Sequence, residues 1–240
     1  MCGRYAASRD KAKLVVEFGI DRATDEALPP DYNVAPSKRV YAVMDRLKGD
    51  RLRRELNVAK WGLVPPWAKS AAIGSRMINA RVETVATKPA FRRALASRRC
   101  LLPADGYFEW YTPSGPVGHK PVKQPFFIRP ADGSVLAMAG LYEFWRDPEV
   151  PEDDPASLLR TTTVITTKAE ADLGRIHDRM PVCLEPDLWD EWLNPAVGPE
   201  VLGVLRPVSP GWLRADPVSS AVNNVRNNGP QLLQPVPPGT

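Results

Sequence analysis

The sequence predicts an α+β fold, a curled, barrel-like mixed β-sheet core with short peripheral helices. Segments rich in β-branched and apolar residues dominate the middle of the chain, and the helical patterns between them are short. No regular alternation of strand and helix occurs, which argues against a parallel doubly wound sheet. The chain has 240 residues, 43% of them hydrophobic, enough to bury a sizeable core. No internal repeat or domain boundary stands out. Residues 1–228 therefore read as one domain, and the proline-rich 229–240 as a loose tail.

The elements follow in order. Ser8 can cap a helix running to about Phe18, with Leu14, Val15 and Phe18 on its apolar face and Gly19 as the stop. Arg39–Leu47 and Arg51–Leu63 flank Lys48-Gly49-Asp50 as a hairpin. Thr87 followed by Lys88-Pro89 starts a helix through Phe91 and Leu95. Leu101–Tyr111, Pro125–Arg129 and Val135–Trp145 read as strands, with Asp132-Gly133 as a turn. Residues 146–157 read as a surface loop, and Thr161–Thr167 as a strongly β-branched strand. Glu185–Leu193 forms a short amphipathic helix carrying Trp189 and Trp192.

Composition narrows the function classes. A net charge of +4 and the clusters Arg51-Leu52-Arg53-Arg54, Arg92-Arg93 and Arg98-Arg99 suggest an acidic partner. No apolar run is long enough to span a bilayer and no signal peptide is evident, so no membrane partner is expected. Three widely spaced cysteines, Cys2, Cys100 and Cys183, do not make a disulfide framework, and a reducing cytoplasm fits them best. The two histidines, His119 and His177, lack partners at zinc-ligand spacing, and no glycine-rich nucleotide loop occurs. Neither metal nor cofactor is expected, so the reaction must use side chains alone.

Cys2 directly follows the initiator methionine. Aminopeptidases remove Met ahead of a small residue, so the processed chain is expected to begin at Cys2. Such a terminus carries an amine and a thiol on adjacent carbons, with reference pKa values of about 7.7–8.0 and about 8.5. Its natural target is an aldehyde: the amine forms an imine, and the sulfur closes a five-membered thiazolidine. Elsewhere, Asn79-Ala80-Arg81-Val82-Glu83-Thr84 places polar groups just before a helical stretch, with Glu83 and Thr84 reading as a cap and surface ion pair. Glu109 shares a strand face with Tyr107 and Tyr111, opposite Phe108 and Trp110. It is either a desolvated proton shuttle or an exposed strand residue paired with an arginine. His177 in His177-Asp178-Arg179-Met180-Pro181 can move a proton near neutral pH, and Arg179 can hold a phosphate. His119, in a Gly/Pro/Lys loop, reads as structural. Trp61-Gly62-Leu63-Val64-Pro65-Pro66-Trp67 ends a strand in a stiff turn with an indole at each end; Trp61 suits a core and Trp67 a stacking platform for an unpaired base.

Six ordered blocks together resemble one family. They are Met1-Cys2-Gly3-Arg4-Tyr5, Tyr32-Asn33-Val34-Ala35-Pro36, the Trp61–Trp67 and Asn79–Thr84 segments, Asp105-Gly106-Tyr107-Phe108-Glu109-Trp110, and His177–Pro181. The chain is similar over residues 2–225 to the SRAP (SOS-response-associated peptidase) family, whose members cross-link to abasic sites in single-stranded DNA. The resemblance implies an SRAP-like fold, Cys2 as nucleophile, and Asn79, Glu109 and His177 as the active-site amide, acid and histidine. It further implies phosphate contacts from Arg4, Arg81 and Arg179, with Trp67 and Pro36 wedged against flanking bases. The partner implied is single-stranded DNA containing abasic sites, with replication-fork proteins as possible further partners; a cytoplasmic monomer, nucleoid-associated during DNA damage, is expected. Three other readings stay open: a cysteine peptidase or autoprotease acting through Cys2, a non-covalent single-stranded nucleic-acid module, and an N-terminal-nucleophile amidohydrolase.

Overall fold

The computed structural model describes residues 2–113, 122–169, 171–206, 208–209 and 211–237; His119 lies outside them. From the N-terminus come β1 (Tyr5–Ala7), α1 (Lys11–Glu17), β2 (Arg22–Ala23), β3 (Asp31–Val34), β4 (Arg39–Lys48), β5 (Arg51–Trp61) and β6 (Asn79–Arg81). Then follow α2 (Arg92–Ser97), β7 (Arg99–Ala104), β8 (Gly106–Tyr111), β9 (Gln124–Pro130), β10 (Leu136–Arg146) and β11 (Leu158–Lys168). The last are α3 (Ala171–Gly174), β12 (Arg179–Pro181), α4 (Trp189–Leu193) and β13 (Leu213–Pro217).

Strands form two curled sheets. One runs in the order β13-β9-β8-β1-β3, the other β12-β11-β10-β7-β4-β5-β2 with β6 added beside β11. In the larger sheet β5 also pairs in parallel with β11 (Thr161 to Lys60, Thr162 to Trp61), closing five strands into a ring. Period-2 alternation divides the side chains between two cores. Leu136 and Met138 of β10 join Val40, Ala42, Met44 and Trp61 in a cluster shared with Tyr5, Tyr107 and Ile128 of the smaller sheet. Ala137, Ala139 and Leu141 point the other way, where Leu14, Phe18, Leu95 and Trp192 of the short helices cover them. Phe18 stacks on Trp189 with ring centroids 4.4 Å apart, and full burial of such a side chain contributes about 1.5–3 kcal/mol.

The hairpin is as read, with one refinement. Lys48 pairs with Arg51, leaving Gly49-Asp50 as a two-residue turn, and Gly49 takes φ 60°, a conformation costly for a residue with a Cβ. In β11 the β-branched threonines 161, 162, 163 and 166 are fully buried. Thr162 donates to the Leu141 carbonyl at 2.9 Å and Thr161 accepts from the Val64 amide at 2.9 Å, which makes their burial tolerable.

Several expectations need correction. Asp10, not Ser8, caps α1, accepting from the Ala12 amide at 2.7 Å; the Ser8 amide instead donates to Asp105 at 2.7 Å. The second helix begins at Arg92, because Thr84–Phe91 winds through turns and Phe91 offers no side-chain cap. Leu101–Tyr111 is two strands rather than one, and the chain passes from one sheet to the other at Asp105. Glu185–Leu193 is a 3-10 turn, Pro186–Leu188, running into α4. The C-terminal segment is not loose as far as residue 237: Pro230–Leu233 forms a 3-10 turn, Leu232 is buried against Phe108 and Phe127, and Pro235 bridges to Val218. Part of the arginine excess is structural. Arg99 is buried and donates to the carbonyls of Leu95, Trp192 and Val197, Arg98 pairs with Glu143, and Arg54 pairs with Asp45.

Candidate active site

Cys2 lies three residues before β1, fully buried in one cluster with Tyr5, Trp61 and Tyr107. Its carbonyl accepts a 2.8 Å hydrogen bond from the side-chain amide of Asn79. Asn79 can reach it because β6 pairs with β11, Asn79 against Val164, and so stands at the rim of the closed ring. The Trp61–Trp67 turn beside this rim depends on a close backbone crossing. Gly62 sits at φ 123°, and a Cβ there would come within 2.5 Å of the Gly74 carbonyl oxygen. Trp61 is buried, edge-on to Tyr5 at 5.0 Å, and donates to the Ile78 carbonyl at 3.0 Å, while Trp67 is 61% exposed.

Glu109 comes from β8, which pairs with β1 through Tyr5–Tyr107. Continuing that register by two residues sets Gly3 across from Glu109, next to Cys2. Alternation holds as read: Tyr107 enters the inter-sheet core, and Phe108 packs on the opposite face with Phe127. Glu109 is only 3% exposed, so the surface ion-pair alternative does not apply. Burial raises its carboxyl pKa, with the charge of His177 among the opposing influences. Burial also pushes the Cys2 thiol far above its ordinary range, and the neighbouring Glu109 carboxylate adds to the effect. Cys2, Asn79, Glu109 and His177 thus form one linked group, drawn from four separated parts of the chain.

His177 is half-exposed after α3. Its Nδ1 accepts the Arg179 backbone amide at 3.0 Å and lies 2.9 Å from an Asp178 carboxylate oxygen. The ring that accepts from Arg179 on Nδ1 carries its N–H on Nε2.

The expected phosphate and base contacts are placed unequally. Arg81 is exposed at the end of β6, and Pro36 is half-buried next to Ser37, which takes φ 71°. Arg4 is half-buried, donates to Asn33 Oδ1 at 2.7 Å and to the Val222 carbonyl at 2.9 Å, and lies 5.8 Å from the Trp110 ring centroid. Arg179 is already committed. It grips Glu83 through two contacts of 2.5 and 3.1 Å and donates to the Thr166 carbonyl at 2.6 Å. A phosphate at Arg179 therefore competes with a carboxylate, while Glu83 is the surface ion-pair partner its sequence suggested. Among the described residues no three His, Cys, Asp or Glu side chains are grouped as a metal site requires. No described helix is long and apolar enough to cross a membrane.

One positioning residue lacked a role at the sequence level. Asn33 is fully buried, and its amide donates to the carbonyls of Asn224 and Asn227 at 3.0 Å each and to Val222 at 3.3 Å. It thereby ties the loop after β13 to β3, while its oxygen holds Arg4. Trp110 is fixed to the same loop through Asn223 Oδ1 at 2.6 Å. The available signals were an asparagine inside a short strand and the doubled Asn223-Asn224 and Asn227-Asn228.

A family model described as SOS response associated peptidase (SRAP) matches residues 1–225. The chain belongs to the SRAP family. Among its relatives, "Abasic site processing protein YoqW" of Bacillus subtilis is 39% identical over 237 residues, covering 98% of this chain and 99% of the relative. "Abasic site processing protein YedK" of Escherichia coli is 34% identical, covering 98% and 100%. "Abasic site processing protein HMCES" of Gallus gallus is 31% identical, covering 98% of this SRAP chain and 78% of its own length. A crystal structure of a Bacteroides thetaiotaomicron protein superposes with a TM-score of 0.80 at 26% identity, covering 98% and 100%.

Proposed function

We propose that this SRAP chain binds single-stranded DNA at abasic sites and joins itself covalently to the lesion through Cys2. The observation that carries the reading is the gathering of Cys2, Asn79, Glu109 and His177 at one rim, with Asn79 hydrogen-bonded to the Cys2 backbone at 2.8 Å. The names of three relatives that match across the whole chain, all abasic site processing proteins, support the substrate.

In this reading hydrolytic removal of Met1 frees the Cys2 amine. The nitrogen attacks the C1′ aldehyde of the ring-opened sugar, giving a carbinolamine. Glu109, held nearer neutrality by its burial, protonates the departing hydroxyl, and water leaves as the imine forms. The Cys2 sulfur then adds to the imine carbon while its proton passes to the nitrogen, closing the thiazolidine. The balance is aldehyde plus aminothiol to thiazolidine plus one water. A raised thiol pKa suits this order, since the sulfur keeps its proton until the electrophile is beside it. Asn79 fixes the Cys2 backbone, and the Nε2–H of His177 can donate a hydrogen bond to the sugar oxygen during ring opening. Thiazolidine closure consumes the imine that would drive β-elimination, so the strand is shielded rather than cut. Arg4 and Arg81 supply phosphate contacts, Trp67 and Pro36 lie against the flanking bases, and Arg179 acts through exchange with Glu83.

The test is a denaturing gel of the purified protein with an oligonucleotide carrying one abasic site. A shifted band that survives boiling in detergent is expected, lost in Cys2→Ser and slowed in Glu109→Gln with affinity for intact strand unchanged. No stable band with the wild type, or cross-linking at full rate by a protein shown by mass spectrometry to retain Met1, refutes the proposal. Hydrolysis of added peptides by wild type but not Cys2→Ala would point instead to the peptidase.

A further inference from the structure

The β4–β5 hairpin carries an arrangement that folding alone disfavours. Its register sets Arg46 directly opposite Arg53 and Lys48 directly opposite Arg51. Opposed residues share a face, so two like-charged pairs are stacked along one side of the ribbon. Like charges in that relation destabilise a sheet. The other side is conventional: Arg54 binds Asp45 at 2.8 and 2.9 Å and reaches Asp190 at 2.7 Å.

Toward the body of the molecule the like-charged side opens into a cleft of about 380 Å³ lined by Arg22, Arg46, Lys48, Glu55, Asn57 and Arg160, with Asp25 also on its wall. Glu55 is buried there but only loosely paired, 3.8 Å from Arg46 and 3.6 Å from Lys48. Among the described residues, no carboxylate lies within ion-pair distance of Arg22, Arg51, Arg53 or Arg160. Arg160 donates to the Val58 carbonyl at 3.2 Å, yet its Nε is buried without a hydrogen-bond partner. Burial lowers the Arg160 pKa, and the charge of Arg46 lowers it further. Both guanidinium groups rest against the Phe144 ring, 5.9 and 5.3 Å from its centroid, which limits their freedom. The cleft therefore presents held, planar donors with unused N–H groups, the geometry that suits phosphate oxygens.

We infer that this face of the hairpin and its cleft form a second anion site, which takes closely spaced phosphate groups. It is separate from the Cys2 rim. Arg160 stands four residues before Val164, the partner of Asn79, a span of roughly 13 Å along β11. Buried Trp61, Thr162 and Val164 belong to the core beside that stretch. The site needs neither Cys2 nor an aldehyde, so it stands or falls independently of the cross-linking proposal. Two sources share its chemistry: the backbone of a single strand, and a free phosphorylated molecule.

The test uses the full chain with two probes, tripolyphosphate by calorimetry and an intact oligothymidylate by fluorescence anisotropy across a salt series. The variant is Arg51→Glu with Arg53→Glu. It turns both opposed pairs into opposite-charge pairs, so its melting temperature should equal or exceed the wild type. The expected result is wild-type binding of tripolyphosphate, weakened about tenfold or more in the variant. A simultaneous fall of the oligothymidylate salt slope, by roughly 0.7 for each phosphate no longer neutralised, identifies a strand as the source. An unchanged slope identifies the free phosphorylated molecule. The inference is overturned if the folded variant binds both probes as the wild type does, or if the wild type ignores tripolyphosphate and the substitution leaves oligothymidylate binding unchanged.

Discussion

Replacing Asn33 by alanine tests how far the loop after β13 is part of the site. The substitution removes two donated hydrogen bonds of 3.0 Å, a weaker one of 3.3 Å, and the acceptor for Arg4 at 2.7 Å. A neutral hydrogen bond contributes about 0.5–1.5 kcal/mol net, and one to a charged group about 1.5–3. The Val222 carbonyl keeps its second donor, Arg4 at 2.9 Å, so the loss is confined to the other partners. Together these give about 3–5 kcal/mol for a fully buried residue. In a domain of this size that lowers the melting temperature by roughly 6–20 °C. Hydrogen exchange should accelerate first in residues 222–228, because that loop loses its tie to β3 before the sheets separate. Single-strand affinity should fall with it, since Arg4 and Trp110 are both fixed to the same loop. Asn33→Asp is the sharper control. It keeps an acceptor for Arg4 but turns an oxygen toward carbonyls, so it should be at least as destabilising as alanine. If Asn33→Ala costs under about 1 kcal/mol and loop exchange is unchanged, the tie does not carry the load assigned to it.

Two further outcomes follow from burial. Glu109 has a folded-state pKa raised by desolvation, so its contribution to stability is present below the ordinary carboxylate range and is lost as pH rises through the folded value. Desolvation weighs against the charged form, so Glu109→Gln should melt at or above the wild type at pH 7 while cross-linking slowly; a clear loss of stability at pH 7 contradicts the desolvation argument. Leu232→Ala removes a side chain 1% exposed from the small cluster with Phe108 and Phe127, and urea melts should show a destabilisation of about 2–5 kcal/mol. A tail that does not dock would give no change.

Much of this molecule was legible from residue order alone, for a physical reason. Strand alternation, turn chemistry and short amphipathic helices are local, so β4–β5, the strand face Glu109 shares with Tyr107 and the buried Trp61 follow from neighbours a few positions away, whereas the burial of Glu109 does not. The proposal for Cys2 likewise starts from one residue and its place in the chain. Other features depend on pairs far apart in sequence, which no window can see. Asn79 meets the Cys2 carbonyl across 77 positions, and Arg179 spends its charge on Glu83 across 96. Asp105, between β7 and β8, meets the Ser8 amide across 97 positions, while Asp10 caps the first helix. The parallel pairing of β5 with β11 closes the ring and sets the rim on which the candidate residues converge.

Residue chemistry thus determined which groups could react and which faces they occupy. Tertiary structure decided which of them meet and which arrive already paired, because burial and long-range hydrogen bonding depend on the whole chain at once.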